Sequence, residues 1–345
     1  MSEFKVTKSQ MHQNTRAQVT STQAHKLTLD LKPKNQTIDL VPCPLTLFKI
    51  MLVLLCLVTY APTLRADTIA YTQLSDGFWQ IWVQQEGQPS RQLTHSAFDK
   101  RTPKWSPDAS EIIYRSGNRE VYIFSLETKK ERKILDSHTW GTDPIFYRDN
   151  RHVLYVRFDS FLPDKSDLVI SDLEGKERNV LNRKPGLAYS PSLSSDGGKI
   201  VYISGQGAQT HEMYVLDLME KMETRLTNNL FLEMHPTFSP DGKKILYTSD
   251  QSGNFDIHIM EIETGKVWRL TQWEGADLSP AWSPDGSQIA FASDRNGVTQ
   301  IWLMNADGGA QRVLSESNLP SQEPSFKPLP PTSSSLEGEK VGMGG

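Results

Sequence analysis

The sequence predicts an all-β fold, a six-bladed β-propeller of four-stranded antiparallel blades that is closed by a C-terminal strand joining the N-terminal blade. Three observations predict it. A motif headed by proline recurs six times at intervals of 41 to 47 residues, which is the length of one propeller blade. An apolar strand follows each of the first five motifs. The unit nearest the N terminus lacks the motif, whereas the last motif has no strands after it.

The recurring motif combines a short strand with a tight turn. Its turn is most complete as Ser-Pro-Asp-Gly, in which proline presets φ, aspartate bonds its own backbone and glycine accepts a positive φ. The six copies are PKWSPDA from Pro103, PIFYRDN from Pro144, PSLSSDG from Pro191, PTFSPDG from Pro236, PAWSPDG from Pro280 and PSFKP from Pro324.

The strands after the motif are continuous apolar runs rather than alternating ones. This pattern is typical of strands that are covered on both faces, as a blade is when neighbouring blades pack against it. Examples are EIIYRS from Glu111, KIVYIS from Lys199 and QIAFAS from Gln288. A third strand and a short fourth strand complete each unit.

The first unit begins with TIAYTQ at Thr68 and has only three strands. The motif strand at Pro324 supplies the missing fourth, so the ring is predicted to close across the two ends of residues 67–328. Closure removes the sheet edges that would otherwise pair with other chains.

Composition excludes several classes of function. Both cysteines, Cys43 and Cys56, precede the repeats, so residues 67–345 hold no disulfide, cysteine nucleophile or cysteine-ligated zinc. From Asp67 onward there are 29 Lys and Arg against 38 Asp and Glu. This acidic balance repels phosphate backbones and predicts no nucleic-acid partner.

The N-terminal 66 residues predict export. The apolar run from Ile50 to Tyr60 follows Lys49 and precedes Leu64-Arg65-Ala66, a pattern of signal peptides with cleavage after Ala66. A membrane-spanning helix needs about 20 apolar residues, so no transmembrane span is expected in the mature form.

These observations divide the chain into four segments. We expect residues 1–49 to be a polar leader, which is either disordered or a misassigned start, and residues 50–66 to be the signal region. Residues 67–328 should form the propeller and residues 329–345 a disordered tail. An uncleaved anchor and a buried core helix are the alternatives.

The fullest repeat, from Pro280 to Gly309, resembles the repeats of TolB-like propellers, and the likeness extends over residues 67–328. The resemblance implies a periplasmic six-bladed propeller whose channel face docks a peptidoglycan-associated lipoprotein. In TolB a small α/β domain precedes the propeller. Here the first blade begins directly after the predicted cleavage site, so we expect that domain to be lacking. A role in the Tol-Pal system is left open.

The candidate site is the mouth of the central channel, where we expect a protein partner to bind. The residue before each motif proline enters the inner strand and is expected to line this mouth, together with two nearby aspartates. A solvated channel wall without a partner is the alternative interpretation. The predicted residues are Asp99, Thr102, Asp143, Ser190, His235, Asp277, Ser279 and Glu323.

Catalytic motifs are absent from the sequence: it contains no GxSxG elbow, HExxH pair, phosphate loop or dinucleotide fingerprint. We therefore predict a non-enzymatic, monomeric protein-binding propeller of the periplasm, without cofactor or metal, and with an envelope lipoprotein of the peptidoglycan-associated type as one candidate partner. Two alternatives remain, a metal-dependent propeller enzyme of the lyase kind and a structural propeller anchored to the membrane and facing the periplasm.

Overall fold

The computed structural model describes residues 67–135, 141–158, 165–176, 178–181, 186–205, 211–315 and 317–329. The predicted leader, the signal region and residues 330–345 of the predicted tail lie outside the described residues. The expectation that the α/β domain is lacking stays a prediction.

The described residues form twenty-four strands and no helix. Accordingly, they include no helix with the length and apolar character needed to cross a membrane. In chain order the strands are β1 (Thr68–Ser75), β2 (Phe78–Gln85), β3 (Arg91–Gln92), β4 (Lys100–Trp105), β5 (Glu111–Ser116), β6 (Val121–Ser125), β7 (Glu131–Ile134), β8 (Gly141–Phe146), β9 (His152–Phe158), β10 (Ser166–Asp172), β11 (Arg178–Val180), β12 (Leu187–Leu193), β13 (Lys199–Gly205), β14 (Glu212–Asp217), β15 (Met222–Arg225), β16 (Glu233–Phe238), β17 (Lys244–Ser249), β18 (Asp256–Glu261), β19 (Val267–Arg269), β20 (Asp277–Trp282), β21 (Gln288–Ser293), β22 (Gln300–Asn305), β23 (Arg312–Val313) and β24 (Ser321–Phe326).

The strands make six antiparallel four-stranded sheets, which we number as blades. Blade 1 is β24-β1-β2-β3, and blades 2 to 6 take four consecutive strands each, from β4–β7 through to β20–β23. In blade 1, Ile69 pairs with Phe326 and Gln73 with Ser321, so the last strand completes the first sheet. The predicted six-bladed all-β fold and its closure across the termini are confirmed.

The core lies between the blades rather than inside any one of them. Each of the six apolar clusters joins residues of two neighbouring blades, including the pair formed by blades 6 and 1. One aromatic ring per blade occupies the same position in the second strand, and all six are at most 2% exposed: Tyr71, Tyr114, Tyr155, Tyr202, Tyr247 and Phe291. Each of these side chains stabilises the fold by roughly 1.5–3 kcal/mol, but only while the adjacent blade is present.

Removal of the closing strand tests this dependence. A chain that ends at Asn318 should melt at a clearly lower temperature than one that ends at residue 330, because β1 loses one of its two partner strands and the apolar cluster of Ile69 and Tyr71 loses Phe326. Thermal unfolding followed by circular dichroism measures the difference. Equal melting temperatures would show that the ring does not depend on β24.

Candidate functional site: the central channel

Each of the six inner strands carries a β-bulge at the same place. The register of the inner strand against the second strand shifts at the dipeptide that ends in the motif proline, as between Met234 and Thr237 in β16 and between Leu278 and Ala281 in β20. The other four inner strands shift at the equivalent dipeptide. A bulge leaves one residue outside the ladder and turns its side chain in a new direction.

The residue before the proline adopts a left-handed backbone in all six blades. Such a conformation costs non-glycine residues about 1–3 kcal/mol each, and a following proline restricts the backbone further. Packing between the blades must hold all six in place, so the ring that they form is rigid. We call these residues the ring: Thr102 (φ 53°), Asp143 (φ 49°), Ser190 (φ 50°), His235 (φ 52°), Ser279 (φ 52°) and Glu323 (φ 60°).

The ring residues line one cavity of about 420 Å³ on the propeller axis. The lining runs from the ring along the inner strands to the turn residues Ser195, Pro240, Pro284 and Pro328. The structure therefore brings together six of the eight predicted site residues. It places them at one end of the cavity lining, with the turns that follow the inner strands at the other end.

A second set of lining residues lies two positions after the ring. Sequence reasoning missed Lys104, the charged member of this set, although its position in the repeat is the same as that of the other members. The set consists of Lys104, Ile145, Ser192, Thr237, Ala281 and Ser325. Phe238, Trp282 and Phe326, which the sequence suggests only as packing residues, also line the cavity.

Two carboxylates tie the ring together across blade boundaries. Glu323 of blade 1 accepts hydrogen bonds from the backbone N–H of Thr102 in blade 2 at 2.9 Å and from Nε of Arg101 at 3.2 Å. Asp143 of blade 3 accepts one from the N–H of Ser190 in blade 4 at 3.0 Å. Each carboxylate thus fixes the neighbouring left-handed residue while keeping its charge beside the cavity.

The charged groups of the cavity influence one another. Burial lowers the pKa of Lys104 below its usual value, whereas Glu323 and Asp143 act in the opposite direction. Burial likewise lowers the pKa of His235, against the attraction of the same two carboxylates. Within the described residues, Nδ1 of His235 and the hydroxyl oxygen of Thr102 are buried and have no hydrogen-bond partner.

The other two predicted site residues lie apart from the cavity lining. Asp99 accepts a hydrogen bond from the backbone N–H of Trp79 at 3.0 Å. Asp277 is completely buried, and Arg295 donates to both its carboxylate oxygens at 2.9 and 2.8 Å. Bonds within the propeller thus occupy both side chains, and their place at the channel mouth stays a prediction.

No three His, Cys, Asp or Glu side chains are grouped closely enough to hold a metal ion in the part of the chain that the structure describes. His235 is the single histidine among the residues that line the cavity.

Comparisons with known proteins agree with this architecture. Residues 167–330 match the family described as the TolB beta propeller domain. TolB from Acinetobacter baumannii superposes with a TM-score of 0.65 at 23% identity, over 76% of this chain and 67% of that one. A putative TolB from Agrobacterium tumefaciens gives 0.62 at 19% identity, over 76% and 99%. An oligogalacturonate lyase in complex with manganese gives 0.50 at 17% identity, over 71% and 73%. At these identities the solved structures are similar to this chain in fold, and the resemblance to TolB-like propellers is confirmed.

The protonation of His235 provides a test of the cavity. Because burial holds its pKa below the ordinary value of 6.5, the imidazole should be neutral at pH 7 and should titrate only in more acidic solution. Its ring proton resonances, followed by NMR between pH 4 and 8 and assigned with His235→Gln, measure the midpoint. A midpoint above 6.5 would mean that Asp143 and Glu323 outweigh burial, and the account of the cavity given above would be wrong.

Proposed function

Because the described part of this chain is a TolB-like six-bladed β-propeller, we propose that the protein is a non-catalytic module that binds another protein through its central channel. The observation that carries the proposal is the rigid ring of six left-handed residues at one end of a cavity of about 420 Å³. A preformed, rigid site loses little conformational entropy on binding, which favours affinity.

The chemistry of the lining indicates what kind of segment would bind. Proline side chains together with Phe238, Trp282 and Phe326 provide apolar contacts along the cavity. Thr102 and His235 provide polar side chains at the ring. Sites with mostly apolar walls and a few placed polar groups are typical of specific recognition. An extended segment or loop of the partner, apolar along its length and polar at its tip, fits this arrangement.

The place and partner that we propose follow from the sequence and the family. The predicted signal peptide supports export to the periplasm, with a membrane-anchored form facing the periplasm as the alternative. An envelope lipoprotein of the peptidoglycan-associated type is the candidate partner that the TolB-like repeat suggests. We propose a monomer that does not bind nucleic acid, in keeping with the excess of acidic side chains from residue 67 onward.

A metal-dependent lyase-like enzyme is the alternative function. The oligogalacturonate lyase that shares the fold is described as a complex with manganese. In this chain Asp143, His235 and Glu323 all line the cavity, but they are not grouped closely enough to hold a metal ion. Manganese binding would distinguish the two functions. A Mn²⁺ titration that is abolished by His235→Ala would favour the enzyme over the binding module.

Site-specific photo-crosslinking in the organism's own cells tests the binding proposal. A photoreactive residue at Ser279, which lines the cavity, should capture one protein, whereas the same residue at the exposed Glu263 should not.

The captured protein is then purified and titrated against the propeller by calorimetry. His235→Ala should weaken binding at least tenfold, a change of about 1.4 kcal/mol, because it removes a hydrogen-bonding group from the ring.

His152→Ala is the matched control, since its imidazole lies at the surface, with Nδ1 3.0 Å from Oδ2 of Asp149. It should bind as the wild type does, and both variants should retain the wild-type far-UV spectrum. Capture at Glu263 but not at Ser279, or equal affinities for wild type and His235→Ala, would contradict binding through the channel.

Sequencing of the N terminus of the protein isolated from cell fractions tests the proposed export. The mature chain should begin at Asp67 and should be released with the periplasmic fraction by osmotic shock. A chain that keeps Ile50 to Tyr60 and sediments with membranes would favour the anchored form instead.

A further inference from the structure

Two neighbouring blade junctions contain equivalent pairs of buried acidic side chains. Where blades 5 and 6 meet, Asp256 begins β18 and Asp277 begins β20, and neither is exposed. Arg269 pairs with Asp256 at 2.7 Å, and Arg295 pairs with Asp277 at 2.8 Å. Each buried carboxylate at this junction therefore has a guanidinium of its own.

The junction of blades 4 and 5 repeats this arrangement with one guanidinium fewer. Glu212 begins β14 and Glu233 begins β16, and Arg225 pairs with Glu212 at 2.8 Å. Glu233 pairs with Ser249 as Asp277 pairs with Ser293. Two residues after Ser249 stands Gln251, at the position that Arg295 occupies in blade 6. Glu233 thus lacks the positive partner that its equivalent has.

Glu233 is enclosed by uncharged donors and by a second acid. Thr227 donates its hydroxyl to Oε2, and Asn229 donates its side-chain amide to Oε1 at 2.7 Å. The titratable groups that act with it are Glu212 from blade 4 and Tyr247 from β17. Burial of the 1%-exposed side chain and the nearby Glu212 raise its pKa to about 7, while hydrogen bonds from Thr227, Asn229 and the backbone N–H of Met213 oppose the rise.

The groups that bind Glu233 belong to the connection between β15 and β16, residues 226–232. Asn229 also donates its backbone N–H to Glu212 at 3.1 Å and accepts a bond from the N–H of Phe231 at 2.8 Å. Beyond Asn229 the connection exposes three large apolar side chains in succession, Leu230 at 89%, Phe231 at 43% and Leu232 at 39%. The two buried acids therefore hold a loop that presents an apolar patch, together with Asp250 of the next hairpin, which accepts a hydrogen bond from the N–H of Leu232 at 2.8 Å.

We propose that Glu233 is a proton-operated latch for the connection 226–232: when protonated it holds the connection against blades 4 and 5, and when ionised it releases it. A neutral carboxyl suits this site because it can donate to Thr227 Oγ1, which already accepts from the backbone N–H of Met213, while its carbonyl oxygen accepts from Asn229. An ionised carboxyl places a second negative charge beside Glu212 with one guanidinium between them. The presentation of the apolar triplet then depends on solution pH.

The direction of the effect follows from proton linkage. The pKa of Glu233 rises from its ordinary 4.5 to about 7 in the closed structure, so between these values the closed form binds the proton more tightly than the open form does. Stability of the closed connection is therefore fully present below pH 4.5, falls as the pH rises to 7, and is constant above it. Between pH 6 and pH 8 the opening equilibrium should shift about tenfold toward the open form.

Hydrogen exchange of the full chain tests the latch. After correction for intrinsic rates, amides of residues 226–232 should open about ten times more often at pH 8 than at pH 6, as measured by mass spectrometry. The equivalent connection at the other junction, residues 270–276, is an internal control that should change less, because Arg295 neutralises Asp277.

Two variants should remove the pH dependence by opposite routes. Glu233→Gln keeps a donor toward Thr227 and an acceptor for Asn229 but does not titrate, so exchange should be slow at both pH values. Gln251→Arg restores the guanidinium found in blade 6 and should keep Glu233 ionised and paired throughout. Glu263→Gln, at an exposed position, should keep the tenfold change.

The latch is overturned by any of three results: no pH dependence in residues 226–232 of the wild type, a tenfold change that persists in Glu233→Gln, or one that persists in Gln251→Arg. If Glu233→Gln does not fold, Gln251→Arg decides alone, since it leaves the buried side chains in place.

Discussion

The structure depends on the burial of each blade between two others. A four-stranded blade is apolar on both faces along its second strand, and the six clusters of the core all straddle a blade boundary. Fixing the backbone of each residue costs about 1–2 kcal/mol, so a lone blade has too little contact to offset that cost. Stability is therefore a property of the closed ring, and the strand order β24-β1-β2-β3 is what makes the ring close.

The same constraint explains the channel. Six inner strands surround one axis, and each carries a bulge at the residue just before its proline. The left-handed residues there would be unfavourable in an isolated strand. In the ring they are held by packing and, at Thr102 and Ser190, by carboxylates of the preceding blade. The packing of the blades thus offsets the free-energy cost of these left-handed residues, and it makes the channel wall rigid.

Sequence repeats predicted the fold almost completely, because the spacing of the motif sets the number of blades and the missing first strand predicts the closure. They also predicted the ring, since every member occupies the same position before a proline. They did not predict that Asp277, which lies on the same strand as Ser279, pairs with Arg295, a residue from the hairpin between β21 and β22. Such a contact depends on how the blade twists, and the spacing of the repeats carries no information on it. Lys104 could have been predicted from its position in the repeat, two residues after Thr102. The environment of Glu233 became clear only from the strand register, which shows that Gln251 occupies the position in blade 5 that Arg295 occupies in blade 6.

Because the last strand completes the first blade, that blade has an unpaired edge during most of the chain's synthesis. The first blade is synthesised early, but its innermost strand, Ser321–Phe326, comes last. Until those residues leave the ribosome, Thr68–Ser75 offers an open edge that can pair with other polypeptides. Synthesis at about 5–20 residues per second leaves that edge unprotected while some 250 residues are added. A chaperone that shields extended segments would be of most use to this protein during that interval.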